Sequence, residues 1–186
     1  MKLLLGRKDV NPDPQDTVQG RTPLWRASFY GHEGVVKLLV GRKDVNPDTP
    51  DTELGSTPLL SAAEYGYEGV VKLLLGRKDV NPDTQNKNGM TPLSRAAQNG
   101  HEEIVKLLLG REYVNPNTPT TNCGRTPLSW AAENGHERVV KLLLGRKDVS
   151  PNSSCQCGQT PLALASTNGH DRVVKLLQAR HPRPTR

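Results

Sequence analysis

The sequence predicts a mostly α-helical solenoid, built from stacked helix-turn-helix pairs with protruding hairpin loops. The first observation is a period: Thr-Pro-Leu returns every 34 or 35 residues, beginning at Thr22, Thr57, Thr91, Thr126 and Thr160. The second is that each copy is followed by small residues, a Gly-His or Gly-Tyr turn, and an apolar run ending in Leu-Leu. The third is a hydrophobic content of only 34% with a single Phe. This composition favours many small cores shared between neighbouring repeats over one large core.

The period divides the 186 residues into five repeats and two short ends. The predicted repeats are residues 20–54, 55–88, 89–123, 124–157 and 158–180, of which the last is truncated. Residues 1–19 are predicted to be a partial repeat with a second helix and a finger loop, because Leu3–Asn11 matches Leu73–Asn81 residue for residue. Residues 181–186 are predicted to form a basic tail. We therefore expect either a piece of a longer array or a partner that covers the exposed first repeat, since solenoids need a polar terminal face.

The first helix of each repeat is indicated by its capping residues. In the first complete repeat Thr22 is a favourable N-cap, and Pro23 suits the first helical position, where its missing N–H costs nothing. We predict a helix from there to about Tyr30. Gly31 supplies the left-handed residue that ends it.

The second helix is predicted to begin at His32-Glu33 and to be buried on most sides. Its apolar residues cover nearly the whole circumference: Val35, Val36, Leu38, Leu39 and Val40. Acidic and basic residues four positions apart recur on the remaining stripe. The acidic residue comes first in each pair, which is the more stabilising order in a helix. These pairs are Glu33/Lys37, Glu68/Lys72, Glu102/Lys106, Glu137/Lys141 and Asp171/Lys175. Gly41 ends this helix, and the basic residues after it suit the negative end of the helix dipole.

The segments between helical pairs are rich in Pro and Thr, as in residues 47–55 and 116–124. Asn-Pro-Asp, Asn-Gly and Cys-Gly steps are typical of turns. We predict that residues 45–46 and 56–57 pair as a short hairpin around such a segment.

These residues together identify the chain as similar to the ankyrin repeat family. The resemblance rests on Thr-Pro-Leu-Ser-Trp-Ala-Ala-Glu-Asn-Gly-His-Glu at residues 126–137, on Val-Val-Lys-Leu-Leu-Leu at 139–144, and on the Asp-Val-Asn triplets. The Leu-Leu-Leu-Gly-Arg-Lys-Asp-Val-Asn text resembles fungal ankyrin arrays. The resemblance covers nearly the whole chain and implies an ankyrin-repeat solenoid.

The chain departs from the family pattern in two respects that matter structurally. The family's His after Thr-Pro-Leu is replaced in every repeat, by Trp25, Leu60, Ser94, Ser129 and Ala163. We expect its hydrogen bonds to be lost except where the two serines restore them. The connecting loops are also longer than in the family pattern, so the fingers should reach further from the helical stack.

The sequence contains no catalytic constellation and no cofactor motif. A zinc-protease helix needs a second His four residues after the first, and Val occupies that position after each His-Glu pair, at His32, His101 and His136. We expect these histidines to bond backbone at the turn between helices. The three cysteines could form a soft-metal site, but three thiols without a nearby His fall short of a closed zinc site. We therefore expect Cys123, Cys155 and Cys157 to be free, exposed thiols.

Charge and hydropathy limit the classes of partner. The net charge of +6 is spread through the repeats without a dense basic block, which disfavours nucleic-acid binding. Basic residues recur after each second helix and should stack into a basic edge: Arg42/Lys43, Arg77/Lys78, Arg111 and Arg146/Lys147. Neutralisation of the helix end by these cations, with neighbouring Asp residues, is the favoured explanation, and an acidic partner is the alternative.

The resemblance implies a concave groove formed by the first helices and the finger tips. The residues predicted to bind a partner there are Arg26, Phe29, Tyr30, Tyr65, Arg95, Trp130 and Glu133. Trp, Tyr and Arg are enriched among residues that dominate binding energy. The alternative is that Trp25, Phe29 and Tyr30 pack against residues 1–11 as structural residues.

The resulting functional hypothesis is a non-catalytic protein-protein interaction scaffold with a protein partner. The alternative is the recognition fragment of a larger multidomain signalling protein. We expect no small-molecule substrate, no metal, and a monomer inside the cell, in cytoplasm or nucleus. No stretch resembles a signal peptide or a transmembrane segment.

Overall fold

The computed structural model describes residues 11–180, which form ten helices in five consecutive pairs. The first helices of the pairs are α1 (Pro23–Phe29), α3 (Pro58–Tyr65), α5 (Pro92–Asn99), α7 (Pro127–Glu133) and α9 (Pro161–Thr167). The second helices are α2 (Glu33–Val40), α4 (Glu68–Leu75), α6 (Glu102–Leu109), α8 (Glu137–Gly145) and α10 (Asp171–Ala179). Each first helix packs against the first helix of the next repeat, and each second helix packs against the next second helix. The predicted solenoid is therefore confirmed. The basic tail and most of the partial repeat predicted at residues 1–19 lie outside the described residues.

Every first helix begins as its sequence predicts. The side-chain oxygen of Thr22 accepts a hydrogen bond from the backbone N–H of Trp25 at 3.1 Å, and Pro23 follows the cap. The same bond, to the residue three positions on, is repeated at Thr57, Thr91, Thr126 and Thr160. The helix predicted to reach about Tyr30 ends at Phe29, with Tyr30 as its C-cap. Gly31 follows with the expected positive φ of 68°.

The turn between the two helices is held by a histidine from the following repeat. The Nε2 of His136 donates to the backbone carbonyl of Gln98 at 2.9 Å, because a carbonyl can only accept. His101 and His170 make the same bond to Glu64 and Glu133 at 3.0 and 2.8 Å. The expectation that histidines bond backbone at this turn is confirmed for His101 and His136. The structure adds that the carbonyl belongs to the preceding repeat, so each bond joins two repeats.

One continuous hydrophobic core runs through the stack, from Leu24 in α1 to Leu177 in α10. The second helices contribute many of its largest fully buried side chains, among them Leu74, Ile104 and Leu108. Two of the predicted ion pairs on their outer stripe form, Glu68–Lys72 at 3.7 Å and Glu137–Lys141 at 2.6 Å. Lys106 pairs with Glu103 instead of Glu102, one residue nearer, because the first turn of α6 has two acidic residues.

The predicted pairing of residues 45–46 with 56–57 as a hairpin is wrong, since residues 11–180 contain no strand. The loop is closed by a side chain. Asp51 Oδ1 accepts from the backbone N–H groups of Leu54 and Gly55, both at 2.8 Å. Short polar side chains compete in this way with a strand ladder for backbone donors. Neighbouring loops are joined by single backbone bonds, such as Thr52 N–H to Gln19 carbonyl at 2.8 Å.

The residue that closes each finger varies in type but not in position. It is Asp16, Asp51, Asn86, Thr120 and Cys155 in successive loops, and each donates its N–H to the carbonyl four or five residues on. In the last finger Cys155 is buried and forms a disulfide with Cys157. The expectation of free, exposed thiols is therefore wrong for these two residues. Cys123 is a free, half-buried thiol 3.1 Å from the Thr120 hydroxyl.

A second polar row joins the loops nearer the helices. Asp48 Oδ2 accepts from the backbone N–H of Asn81 in the next repeat at 2.7 Å. Asp13 and Asp83 occupy the equivalent positions and accept in the same way. In the fourth loop the residue is Asn117, whose side-chain oxygen accepts from Ser150 N–H at 2.7 Å. No helix in the described part of the chain is both long and apolar enough to cross a membrane.

Candidate protein-binding surface

The first helices expose one stripe of side chains that differs from repeat to repeat. In α7 the residues Pro127–Ser129 and Ala131–Ala132 are buried, which leaves Trp130 and Glu133 partly accessible. The corresponding positions in α1 hold Arg26 and Phe29, followed by Tyr30. We call this variable row, which includes Arg26, Phe29, Tyr30, Trp130 and Glu133, the groove stripe. Its residues can change without disturbing the buried face that every repeat shares.

At the N-terminal end of the groove stripe, Phe29, Tyr30 and Tyr65 form an aromatic patch. The ring centres of Phe29 and Tyr65, from neighbouring repeats, lie 4.7 Å apart at an angle of 66°. The rings of Tyr30 and Phe29 meet edge to face, with their centres 5.0 Å apart. Tyr30 and Tyr65 are 56% and 47% exposed, so the patch presents aromatic surface to solvent while its rings hold one another in place.

Trp25 lies beneath this patch and belongs to the core. It is 2% exposed, and its Nε1 donates to the backbone carbonyl of Ser56 at 2.7 Å. Phe29 stacks on its ring at 5.0 Å, and the Arg21 guanidinium lies 4.0 Å from the ring centre. The proposed packing of these aromatics against residues 1–11 falls mainly outside the described residues.

Trp25 also corrects the expectation that only serines replace the hydrogen bonds of the family's histidine. The two serines do bond as expected: Ser94 and Ser129 place their hydroxyls 3.0 and 3.1 Å from those of Thr91 and Thr126. Trp25 restores a bond of a different kind, because its longer side chain reaches the next repeat.

The middle of the groove stripe carries paired charges. Arg95 lies 3.6 Å from Glu64 of the preceding repeat and donates to the side-chain oxygen of Gln98 at 3.1 Å. Arg125 pairs with Glu133 at 2.8 Å, and its guanidinium lies 4.8 Å from the ring centre of Trp130. We call Glu64, Arg95, Arg125, Trp130 and Glu133 the charged patch.

The charged patch has unused hydrogen-bonding capacity. The Nε atoms of Arg95 and Arg125 and the Nε1 of Trp130 are buried without a hydrogen-bond partner in the described part of the chain. The side chains of Arg95 and Arg125 are only 19% and 21% exposed, which restricts their motion. Buried donors without acceptors cost free energy in the isolated protein.

Arg26 belongs to neither patch. Its side chain is half exposed and pairs with Asp16 in the preceding finger at 2.8 Å. The backbone N–H of Gln19, with help from Arg26, lowers the pKa of Asp16 to about 2. Arg26 therefore joins a helix to a finger loop.

Apart from Arg26, the structure thus separates the predicted residues into the aromatic patch and the charged patch. Arg125 is a functional candidate that the sequence prediction missed. Its signal was present in the repeat pattern, because Arg125 directly precedes Thr-Pro-Leu just as Arg21 does, and both place a guanidinium over an indole ring. Within residues 11–180, no group of three or more His, Cys, Asp or Glu side chains is arranged to hold a metal ion.

Comparison with known families agrees with this architecture. A family model described as ankyrin repeats in three copies matches residues 1–85, 43–120, 70–155 and 114–185, which together span nearly the whole chain. No curated protein sequence matches it.

Proposed function

This chain belongs to the ankyrin repeat family, whose members generally act as protein-protein interaction modules, and we propose that it is a non-catalytic scaffold that binds a protein partner along the groove stripe. Ankyrin repeats are typically non-catalytic. The partner would contact the exposed side of the first helices and the adjoining finger loops.

The observation that carries the proposal is the aromatic patch. Tyr30 and Tyr65 are about half exposed, whereas large apolar side chains of the same helices, such as Leu24 and Leu59, are fully buried. Phe29 holds both tyrosines through edge contacts, so little conformational entropy is lost when a partner covers them. Tyrosine is a frequent anchor of binding energy. An apolar side chain of the partner is the expected occupant.

The charged patch would orient the partner on the same surface. Arg95 and Arg125 each hold an acidic neighbour, and unpartnered donors lie close by. The partly exposed guanidinium groups of Arg95 and Arg125 could donate to a carboxylate or carbonyl of the partner. Charged groups at an interface contribute more to specificity and register than to raw affinity. We therefore assign affinity mainly to the aromatic patch and orientation to the charged patch.

The experiment is affinity capture with the wild-type chain and with the double variant Tyr65→Ala, Trp130→Ala. A cognate partner should bind the wild type and lose at least about tenfold in affinity for the double variant, as expected when anchor residues are truncated. The thermal midpoint should change little, because both side chains are partly exposed. Tyr30→Ala, which alters the most exposed of the groove tyrosines, keeps the test valid if the double variant loses stability.

Lys72→Ala is the control, because Lys72 is also exposed but lies on a second helix, α4. It should bind a groove partner with wild-type affinity. Equal binding by the wild type and both groove variants would refute the assignment of the groove stripe as the binding surface.

A further inference from the structure

An arginine after the second helix fills the junction between consecutive repeats. In the second repeat, Arg77 holds the Asp79 carboxylate through Nε and Nη2, with 2.8 Å from Nε to Oδ1. Its remaining Nη1 donates to the backbone carbonyl of Arg42 in the first repeat at 2.8 Å. One guanidinium therefore joins an aspartate two residues away to the helix end of the preceding repeat.

The same arrangement recurs in the fourth repeat. Arg146 holds Asp148 at 2.9 and 2.6 Å, and its Nη1 donates to the carbonyl of Leu109 at the end of α6. Arg180 continues the series with a bond to the Arg146 carbonyl at 3.2 Å. Positive charge is favourable at the carbonyl end of a helix. The structural explanation of the basic edge is therefore confirmed for Arg77 and Arg146.

The third repeat breaks this pattern. Where the second and fourth repeats have Arg-Lys-Asp, it has Arg111-Glu112-Tyr113. Arg111 is exposed, and within residues 11–180 its side chain forms neither an ion pair nor a hydrogen bond. Arg111 therefore lacks the carboxylate that Asp79 provides to Arg77 and Asp148 to Arg146. Tyr113, which replaces that aspartate, is 82% exposed.

The junction that Arg111 does not fill is an open cleft of about 410 Å³. Its floor is apolar and consists of Leu75, Val80 and Pro82. Tyr113 and four charged residues also line it: Arg77, Lys78, Arg111 and Glu112. Since Arg77 is already neutralised by Asp79, the two remaining cations outnumber the one acid. None of the lining residues lies on a first helix, so this cleft is separate from the groove stripe.

We infer that this cleft is a second binding site, which takes a segment of a partner protein carrying an acidic side chain beside an apolar one. The acidic group would supply to Arg111 the carboxylate that Asp79 supplies to Arg77, and Asp148 to Arg146. The planar fork of an arginine suits a carboxylate in this geometry. The apolar neighbour would cover the floor and pack on Tyr113. Binding would thus complete, from outside, the arrangement that the second and fourth repeats complete for themselves.

The loss of the Arg-x-Asp ion pair in the third repeat supports the assignment of a binding role to this cleft. Replacing aspartate by tyrosine removes an ion pair that the fold uses elsewhere and leaves a large aromatic ring almost wholly in solvent. Tyrosine and arginine are both enriched where proteins bind one another.

The variant Tyr113→Asp restores the Arg-x-Asp arrangement and should close the cleft. Arg111 would then bind the introduced carboxylate and fold back towards the end of α4, so the thermal midpoint should equal or exceed that of the wild type. The Nε–H resonance of Arg111 should shift and become protected from exchange with solvent. Because the substituted side chain is exposed, the variant tests the site with little risk to the fold.

The probe is a displayed library of random short peptides, selected on the full wild-type chain after depletion on Tyr113→Asp. The enriched peptides should share an Asp or Glu next to an apolar residue. Synthetic copies should bind the wild type at least about tenfold more tightly than they bind Tyr113→Asp or Arg111→Gln, since each variant removes a charge-assisted contact. Glu112→Gln should tighten binding, and Tyr65→Ala, in the groove stripe, should leave it unchanged.

Each of the following outcomes would overturn the inference. Enrichment of basic or neutral peptides would reject an acidic occupant, and equal binding to the wild type and Tyr113→Asp would reject the cleft. Loss of binding in Tyr65→Ala would assign the peptides to the groove stripe instead. Complete displacement by short duplex DNA would identify the cations as a nucleic-acid surface. A library that yields no peptide able to distinguish the two proteins would also count against the site.

Discussion

The indole N–H of Trp25 donates to the backbone carbonyl of Ser56 in the next repeat, across 2.7 Å. Both residues are buried, at 2% and 4% exposure. The second tryptophan differs, because the Nε1 of Trp130 is buried but has no hydrogen-bond partner in the described part of the chain. One tryptophan therefore ties repeats together, and the other carries an unsatisfied donor on the groove stripe.

This difference predicts unequal responses to the same substitution. Trp25→Phe should lower the free energy of unfolding by about 1–3 kcal/mol, because a buried carbonyl loses its donor. Trp130→Phe should change it by less than about 1 kcal/mol, since no hydrogen bond is lost. Urea unfolding followed by far-UV circular dichroism measures both. A larger loss in Trp130→Phe than in Trp25→Phe would contradict the assignment of these roles.

The row of loop aspartates predicts a stabilising substitution. Asn117 shows how the position is best filled: its oxygen accepts from Ser150, and its Nδ2 donates to the Asp148 carbonyl at 2.6 Å. In Asp48 the Oδ1 is buried without a hydrogen-bond partner among the described residues. Asp48→Asn should therefore add about 0.5–1.5 kcal/mol to the free energy of unfolding, by gaining one hydrogen bond.

The gain should depend on pH. Burial raises the pKa of Asp48 above its ordinary value of 3.8. A carboxyl group with a raised pKa destabilises the fold above that pKa and has no such effect below the unfolded value. The advantage of Asp48→Asn should thus be largest at neutral pH and should shrink as the pH falls from the raised pKa towards 3.8. Asn117→Asp is the reverse control, and stabilisation by it would contradict the argument.

The pKa of Asp16 is shifted in the opposite direction from that of Asp48. The backbone N–H of Gln19, and secondarily Arg26, lower the pKa of Asp16 to about 2. Its stabilising effect is present above 3.8 and is lost as the pH falls towards about 2. A carbon-13 titration of the two side-chain carboxyls should give midpoints on opposite sides of 3.8. In Arg26→Gln the midpoint of Asp16 should rise but remain below 3.8, because the backbone donor persists.

Glycines at the ends of the first and second helices should tolerate alanine very differently. Gly100 has a φ of 76°, and a Cβ there would lie 2.6 Å from Nδ1 of His136. Gly100→Ala should therefore cost at least about 1–2 kcal/mol from the left-handed backbone alone, in addition to the clash. Gly41 is right-handed, and its Cβ would lie 3.4 Å from the nearest atom. Gly41→Ala should leave stability unchanged or raise it by up to about 1 kcal/mol.

Thermal unfolding of the two glycine variants side by side tests this contrast. An equal loss in both would show that the second-helix glycine also has a role in the turn that follows it.

The parts of the fold that could be predicted depend on contacts between residues only a few positions apart in the sequence. Each Thr-Pro start was predictable because the cap bond from Thr22 spans only three residues. The left-handed Gly31 was predictable for the same reason. The finger loops were not, because Asp51 closes its turn by accepting backbone donors that a hairpin would otherwise use. Turn residues indicate that a loop exists but do not decide which of its groups bond.

The candidate surface was only half predictable. Tyr30, Tyr65 and Trp130 were named from their place in the repeat, and all three lie partly or largely accessible on the groove stripe. That Trp25 is core could not be read from its position, since the deciding bond goes to a residue 31 positions away. The contact between Arg125 and Trp130 was missed because it joins a loop residue to a helix residue.

The sequence by itself determined the period, the helix caps and the stripe of positions that vary, because these depend on residue type and spacing along one repeat. Tertiary structure decided which side chains meet between repeats. Arg77 donates to the Arg42 carbonyl, and Arg111 makes no equivalent bond among the described residues. Both facts depend on how each repeat packs against the preceding one. Stacking places residues about one period apart in contact, and the geometry of that contact is set by the packed core between them. The cleft beside Tyr113 therefore appears only when the repeats are assembled.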